Sequence, residues 1–271
     1  PKAANHWKSI EHVHVLRVSS RRSQSALAIY GELVPRWRVA WMNKQLKRIR
    51  RATNNARDDD LFIRRLYKDE TNDGARKLAK RVRQHREDSQ QPIIELYGCL
   101  QDKKRFEKRS TQLVKRVSLR GKKLKSWNPT FSDWAKEKFS GVLEQFVSAS
   151  QCDRANLEAL HQMRITGKKV RYTMELLSGA FSETFRTDAN AALAKLQDKL
   201  GDINDHFNAI KRIEFWIEEA SSAKKTETRY LKEMLAQEQQ RLTESREDFY
   251  GWWNAKREAK TIDILQRPLR R

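Results

Sequence analysis

Apolar residues recur at helical spacing along most of the chain. Val39, Met42, Leu46 and Ile49 stand three or four positions apart, the period of one helix face. This predicts a helix opened by Pro35, a residue suited to a first helical position, and ended by a kink at Thr53-Asn54-Asn55. Upstream, Ser9 can cap a first helix that stops at Tyr30-Gly31. Downstream, Leu61, Ile63 and Leu66 carry a helix to about Asp69. Two more helices fit between Asp73 and Arg116, with a break near Gln91-Pro92. The period fades near Arg120-Gly121, and Trp127-Asn128-Pro129 reads as a linker into a new helix. Four helical patterns follow, over 131–149, 153–177, 187–219 with an interruption at Gly201, and 222–260. Residues 267–271 read as a loose basic tail.

Composition supports an all-α fold. Only 9 Gly and 5 Pro occur in 271 residues, too few for the turns of a strand protein. Eight Trp and ten Phe supply core mass, and Trp37, Trp41, Trp134, Trp216, Trp252 and Trp253 read as core or interface. Cys99 and Cys152 form no CxxC pair, so a reducing cytoplasm is the simpler setting. No apolar run has the length of a membrane span, and no signal peptide is visible. The chain starts at Pro1, so residues can precede it. Lys and Arg total 57 against 35 Asp and Glu, a formal charge of +22, which calls for an anionic partner.

A repeat narrows that choice. His14, Arg17, Val18, Arg21 and Arg22 match His161, Arg164, Ile165, Lys168 and Lys169, each pair 147 positions apart. The offset persists in the next helix: Leu46 falls on Leu193, Ile49 on Leu196, Asn54 on Gly201, and Arg57-Asp58 on Asn204-Asp205. Two copies of one helical unit are implied, each a four-helix bundle, related by a pseudo-two-fold axis. The boundaries are 1–126 for the first bundle, 127–266 for the second and 267–271 for the tail.

At 100° per residue, His161, Arg164, Lys168 and Arg171 lie along one stripe with Lys169 at its edge. His14, Arg17 and Arg21 form its equivalent, with Arg22 at the edge. Such cations cannot be buried without partners, so each stripe meets solvent, carboxylates or an anion. Val18, Ile165 and Tyr172 lie within the stripes, which suits the wall of a groove or pore.

These residues resemble the signature of the conserved histidine α-helical domain (CHAD) family: His, then Arg three residues on, then a basic pair. Arg171-Tyr172, Leu196-Gln197-Asp198, Leu200-Gly201 and Asn204-Asp205 also fit, as does Ala56-Arg57-Asp58 in the first half. Thr53-Asn54 stands where the family often has Leu-Gly, and Asn tolerates the left-handed backbone such a turn can need. The resemblance implies two bundles around a central basic channel, polyphosphate binding and association with polyphosphate granules. Some members carry a CYTH triphosphatase domain, whose Glu-x-Glu-x-Lys motif does not occur here.

Arg17, Arg21, Arg22, Arg164, Lys168, Lys169 and Arg171 are therefore candidate anion ligands, forked or mobile donors to phosphate oxygen. The competing reading of such residues is a solvated salt-bridged face. His14 and His161 are candidate donors, or else structural histidines. Arg50 and Arg57 can reach the same anion or a partner carboxylate. Asp58 and Asp205 are read as carboxylates that orient the basic side chains, and Asp59, Asp60, Asp198 and Asp202 as orienting or capping groups rather than metal ligands. Lys115, Arg116, Arg120, Lys122 and Lys123 either widen the basic surface or form a solvated connector. His6, His85 and His206 receive no role. The expected partner is inorganic polyphosphate, with weak nucleic-acid binding beside it; the alternative function is an RNA- or DNA-binding protein using the same basic surface. No catalytic residue, metal, cofactor or membrane is called for.

Overall fold

A computed structural model describes residues 10–67, 72–123, 130–220 and 225–270, apart from the side chains of 119–123. Every regular element within them is helical, the all-α class that the periodicity predicts. In order they are α1 (Ile10–Tyr30), α2 (Arg36–Ala52), α3 (Asn54–Leu66), α4 (Asp73–Asp88), α5 (Gln91–Gln101), α6 (Arg105–Lys123), α7 (Phe131–Ser150), α8 (Leu157–Leu176), α9 (Glu183–Glu218), α10 (Lys225–Trp252) and α11 (Ala255–Gln266). Among the described residues no helix is long and apolar enough to cross a membrane.

Helix ends follow from local chemistry. Asn72 accepts from the amides of Gly74 and Ala75 and caps α4. Thr130 and Asp133 form a reciprocal capping box on α7, and Asn156 caps α8. Each such cap is worth about 1 kcal/mol. Pro35 occupies the N-cap of α2, one position before the predicted first turn, because its carbonyl accepts from the Arg38 amide. The chain does break at Thr53, as its sequence predicts.

Four expectations change. Three helices, not two, fill the stretch after Asp73, because Lys103 and Lys104 take left-handed backbone (φ 50° and 52°) and split α5 from α6. Gly201 does not interrupt α9, whose 36 residues run on in open space at that point. The pattern over 222–260 divides at Asn254, whose side chain caps α11. The basic tail is not loose: Arg267 bonds Asp188 at 2.9 Å and Arg270 bonds Asp263 at 2.7 Å. Ser9, Asp69, the 127–129 linker, Ser222 and Arg271 lie outside the described residues.

The chain divides into two compact units: Pro1–Ser126 with Arg212–Met234, and Trp127–Lys211 with Leu235–Arg271. In the first, Leu27, Met42, Leu46, Ile49 and Leu96 form the main core, joined by Leu16, Trp41, Phe106 and Leu113. In the second, Phe139, Phe181 and Phe185 pack within 5.1–5.9 Å of one another, and Phe249 stacks on Trp253. Each such ring contributes roughly 1.5–3 kcal/mol by burial. Of the tryptophans, Trp134, Trp216 and Trp253 are buried, but Trp37 is 58% exposed and does not belong to the core.

The first unit also buries charge. Asp59, fully buried, accepts from Arg212 and from His85 Nδ1. Asp60, equally buried, accepts from Arg86 Nε at 2.9 Å. Arg81 pairs with Glu227 at 2.6 Å. His85 thus has a structural role, contrary to expectation, and so does His206, which donates to the buried carboxylate of Glu238. Removing one partner from such a pair leaves a buried charge, at a cost of about 3–5 kcal/mol.

Candidate anion site

α1 buries Val13, Ser20 and Leu27, each seven residues from the next. Steps of 100° place His14, Arg17 and Arg21 at the margin of that line, and all three are half-buried while Arg22 is exposed. α8 follows the same rule. It buries Leu160, Met163, Gly167, Val170 and Met174, half-buries His161, Arg164, Lys168 and Arg171, and exposes Lys169.

Arg17 is the anchor of the first stripe. Its Nη1 donates to the Arg50 carbonyl at 2.8 Å, to Thr53 Oγ1 at 3.1 Å and to Asn54 Oδ1 at 2.6 Å. The Arg50 carbonyl lies in the last turn of α2, where carbonyls lack helical donors, so the guanidinium supplies one. α1 is thereby fastened to the α2–α3 junction. Asn54 needs no left-handed backbone there, since only Lys103 and Lys104 among non-glycine residues have positive φ among the described residues.

Arg21, Arg50 and Arg57 gather in the field of Arg17. Burial lowers the Arg17 pKa; Asp58 opposes that shift, and Arg21, Arg50 and Arg57 add to it. Arg50 is lowered by burial and then by Arg21. Arg57 is lowered by burial, with Asp60 opposing and Arg64 and Arg21 repelling. All remain charged at any physiological pH. Among the described residues Arg21, Arg50 and Arg57 form no salt bridge, and the Nε atoms of Arg21 and Arg50 are buried without a hydrogen-bond partner. A buried donor left unbonded costs about 1–3 kcal/mol. The solvent-accessible Asp58 has its pKa raised by desolvation, which Arg17 and Arg212 counter.

The second stripe has bonded amides beside it. His161 Nδ1 meets Asn204 Oδ1 at 2.9 Å; the oxygen only accepts, so the ring carries a proton there and Nε2 is its other edge. Gln197 donates to the Gly167 carbonyl at 3.2 Å. Lys169 turns to Gln145 at 3.3 Å, and the Arg171 guanidinium lies 5.7 Å from the Tyr172 ring centroid. The Nε atoms of Arg164 and Arg171 are buried and unbonded, like those of Arg21 and Arg50. Asp205 is exposed and receives a 3.4 Å contact from Asn204. Beside His161, between Leu160, Leu200 and Phe207, lies a cavity of about 20 Å³, enough for one water and not for a polyanion.

The 147-residue offset maps onto these elements. Arg36 opens α2 and Glu183 opens α9, so α9 is the unbroken counterpart of α2 and α3 together. Sequence reasoning missed Arg64, Arg212 and Arg86. Asp59 and Asp60, read there as orienting or capping carboxylates, do pair with basic side chains, but from inside the core: Asp58-Asp59-Asp60 spans 200° of α3, so the run cannot stay on its outer face. Lys115 and Arg116 are exposed on α6, while the side chains of Arg120, Lys122 and Lys123 are outside the described set. No three His, Cys, Asp or Glu residues among the described residues converge as a metal site.

A family model described as CHAD domain matches residues 2–214. The crystal structure of the CHAD domain from the plant Ricinus communis is similar, with a TM-score of 0.59 and 19% identity over 84% of this chain and 78% of that one. That likeness concerns the fold. No curated protein matches. With the family model covering well over half its length, and with paired His-Arg-basic stripes on α1 and α8, this chain belongs to the CHAD domain family.

Proposed function

We propose that this protein binds inorganic polyphosphate without turning it over, through the basic faces of α1 and α8, and that this attaches it to polyphosphate granules. The observation that carries the reading is the cluster of Arg17, Arg21, Arg50 and Arg57, held together against mutual repulsion. An anion beside the guanidinium groups would relieve that repulsion. Arginine forks suit phosphate oxygens, and polyphosphate presents them at every unit of its chain. Family membership supports the choice of anion.

Calorimetric titration with long-chain polyphosphate tests it. Submicromolar affinity at moderate salt is expected, falling steeply as salt rises, by analogy with counterion release from nucleic acid. The variant Arg21→Glu/Arg50→Glu/Lys168→Glu should stay folded, as read by its melting curve, and lose binding. Equal binding by that folded variant would sink the assignment of the site. Orthophosphate release from polyphosphate in the presence of magnesium would overturn the non-enzymatic part.

A further inference from the structure

The paired stripes leave one strongly basic surface of the first unit without a task. α6 carries Arg105, Lys108, Arg109, Lys115 and Arg116 with Glu107 as its acidic residue. It buries none of its described side chains fully and leans on α2 through Phe106 and Leu113. Beside it, Trp37 of α2 stands 58% exposed, and Val114 of α6 is exposed as well. The Arg38 guanidinium lies 4.4 Å from the Trp37 ring centroid, and the Arg109 guanidinium lies 4.4 Å from that of Trp41. Arg38 also donates to Gln112 at 3.0 Å, which ties the two helices together.

From this we infer that the α2–α6 face binds single-stranded nucleic acid, with a base stacked on the open side of Trp37 and phosphates on the α6 cations. Three features favour that occupant. Basic residues dominate both helices, with Glu107 the one acidic residue among them, which suits a polyanion. The ring is held flat by Arg38 on one side, so its ordering cost is already met. The cleft lined by Trp37, Trp41, Met42 and Leu113 has room for about 10 Å³, roughly one water, so it cannot swallow an apolar side chain of a protein partner. A planar group laid on the ring fits instead. Ring stacking tolerates any base, and a duplex keeps its bases inaccessible to it, so single strands are preferred. This site is separate from the arginine cluster around Arg17 and needs an aromatic ring, which polyphosphate cannot use.

Fluorescence anisotropy with labelled oligothymidylate, and with a hairpin duplex as control, is the experiment. The parent should bind the single strand more tightly than the duplex. Trp37→Ala should weaken single-strand binding about tenfold, in line with the loss of one stacked base, and leave polyphosphate titration unchanged. Trp37→Phe should retain most of the affinity, and Arg21→Glu/Arg50→Glu should retain it too. The inference fails if Trp37→Ala binds the oligonucleotide like the parent. It also fails if binding disappears with the Arg21→Glu/Arg50→Glu pair instead. A third failing outcome is Trp37→Ala releasing the protein from phosphatidylserine vesicles while oligonucleotide binding is kept, which would make the face a membrane-surface contact.

Discussion

The stripes on α1 and α8 share their spacing but differ in how their neighbours are bonded. At the 147-residue offset, Arg50 becomes Gln197 and Arg57 becomes Asn204. Those two amides bond inward, Gln197 to the Gly167 carbonyl and Asn204 to His161. Their arginine counterparts instead repel Arg17 and Arg21. Part of the charge reappears elsewhere, since Arg171 stands where the first copy has Gln24. One framework of helices thus supports a stripe flanked by bonded amides and a stripe flanked by mutually repelling arginines. An anion gains most where cations repel one another, so the first unit should dominate binding.

The sharpest way to break that comparison is to neutralise each stripe separately. Arg21→Ala/Arg50→Ala/Arg57→Ala should weaken polyphosphate binding by roughly 100-fold, from the loss of three charge-assisted contacts in a screened setting. Its melting temperature should hold or rise, because repulsion is removed. Lys168→Ala/Lys169→Ala should cost about tenfold at most, and equal losses would erase the difference between the units. Next in size, Arg17→Ala should lower unfolding free energy in urea by about 2–3 kcal/mol, since the Arg50 carbonyl and Asn54 lose a charged donor. An Arg17→Ala protein as stable as the parent would show that its hydrogen bonds do not fasten α1. The smallest effect should come from building the first stripe into the second. Gln197→Arg/Asn204→Arg should tighten polyphosphate binding up to about tenfold and lower the melting temperature by roughly 2–4 °C for each kcal/mol lost.

Much of this was legible in the chain. The periodicity placed Met42, Leu46 and Ile49 on a buried face, and the repeat put His14 and His161 on equivalent helices. Thr53 was readable as a break because its hydroxyl can serve the Ile49 and Arg50 carbonyls. Gly201 misled, because one glycine costs a helix only about 1 kcal/mol and α9 is long enough to absorb it. Lys103 and Lys104 carry no sign of a left-handed turn, being ordinary helix formers. Trp37 follows the apolar pattern yet ends in solvent, since α6 covers Trp41 and not its neighbour one turn back. Arg212 could not be assigned to Asp59 by any local rule, as 153 residues separate them.

That separation bears on how the chain is made. Asp59 is fully buried, and the cation that compensates it belongs to the stretch Arg212–Met234, which completes the first unit. At a synthesis rate of about 5–20 residues per second, Asp59 waits roughly 8–30 s for Arg212 to be translated. Until then its carboxylate must stay hydrated or rely on His85 alone, and closing around α3 would bury it without its cation, at a cost of about 3–5 kcal/mol. That cost favours an open first half in the nascent chain until the second half delivers the compensating charge.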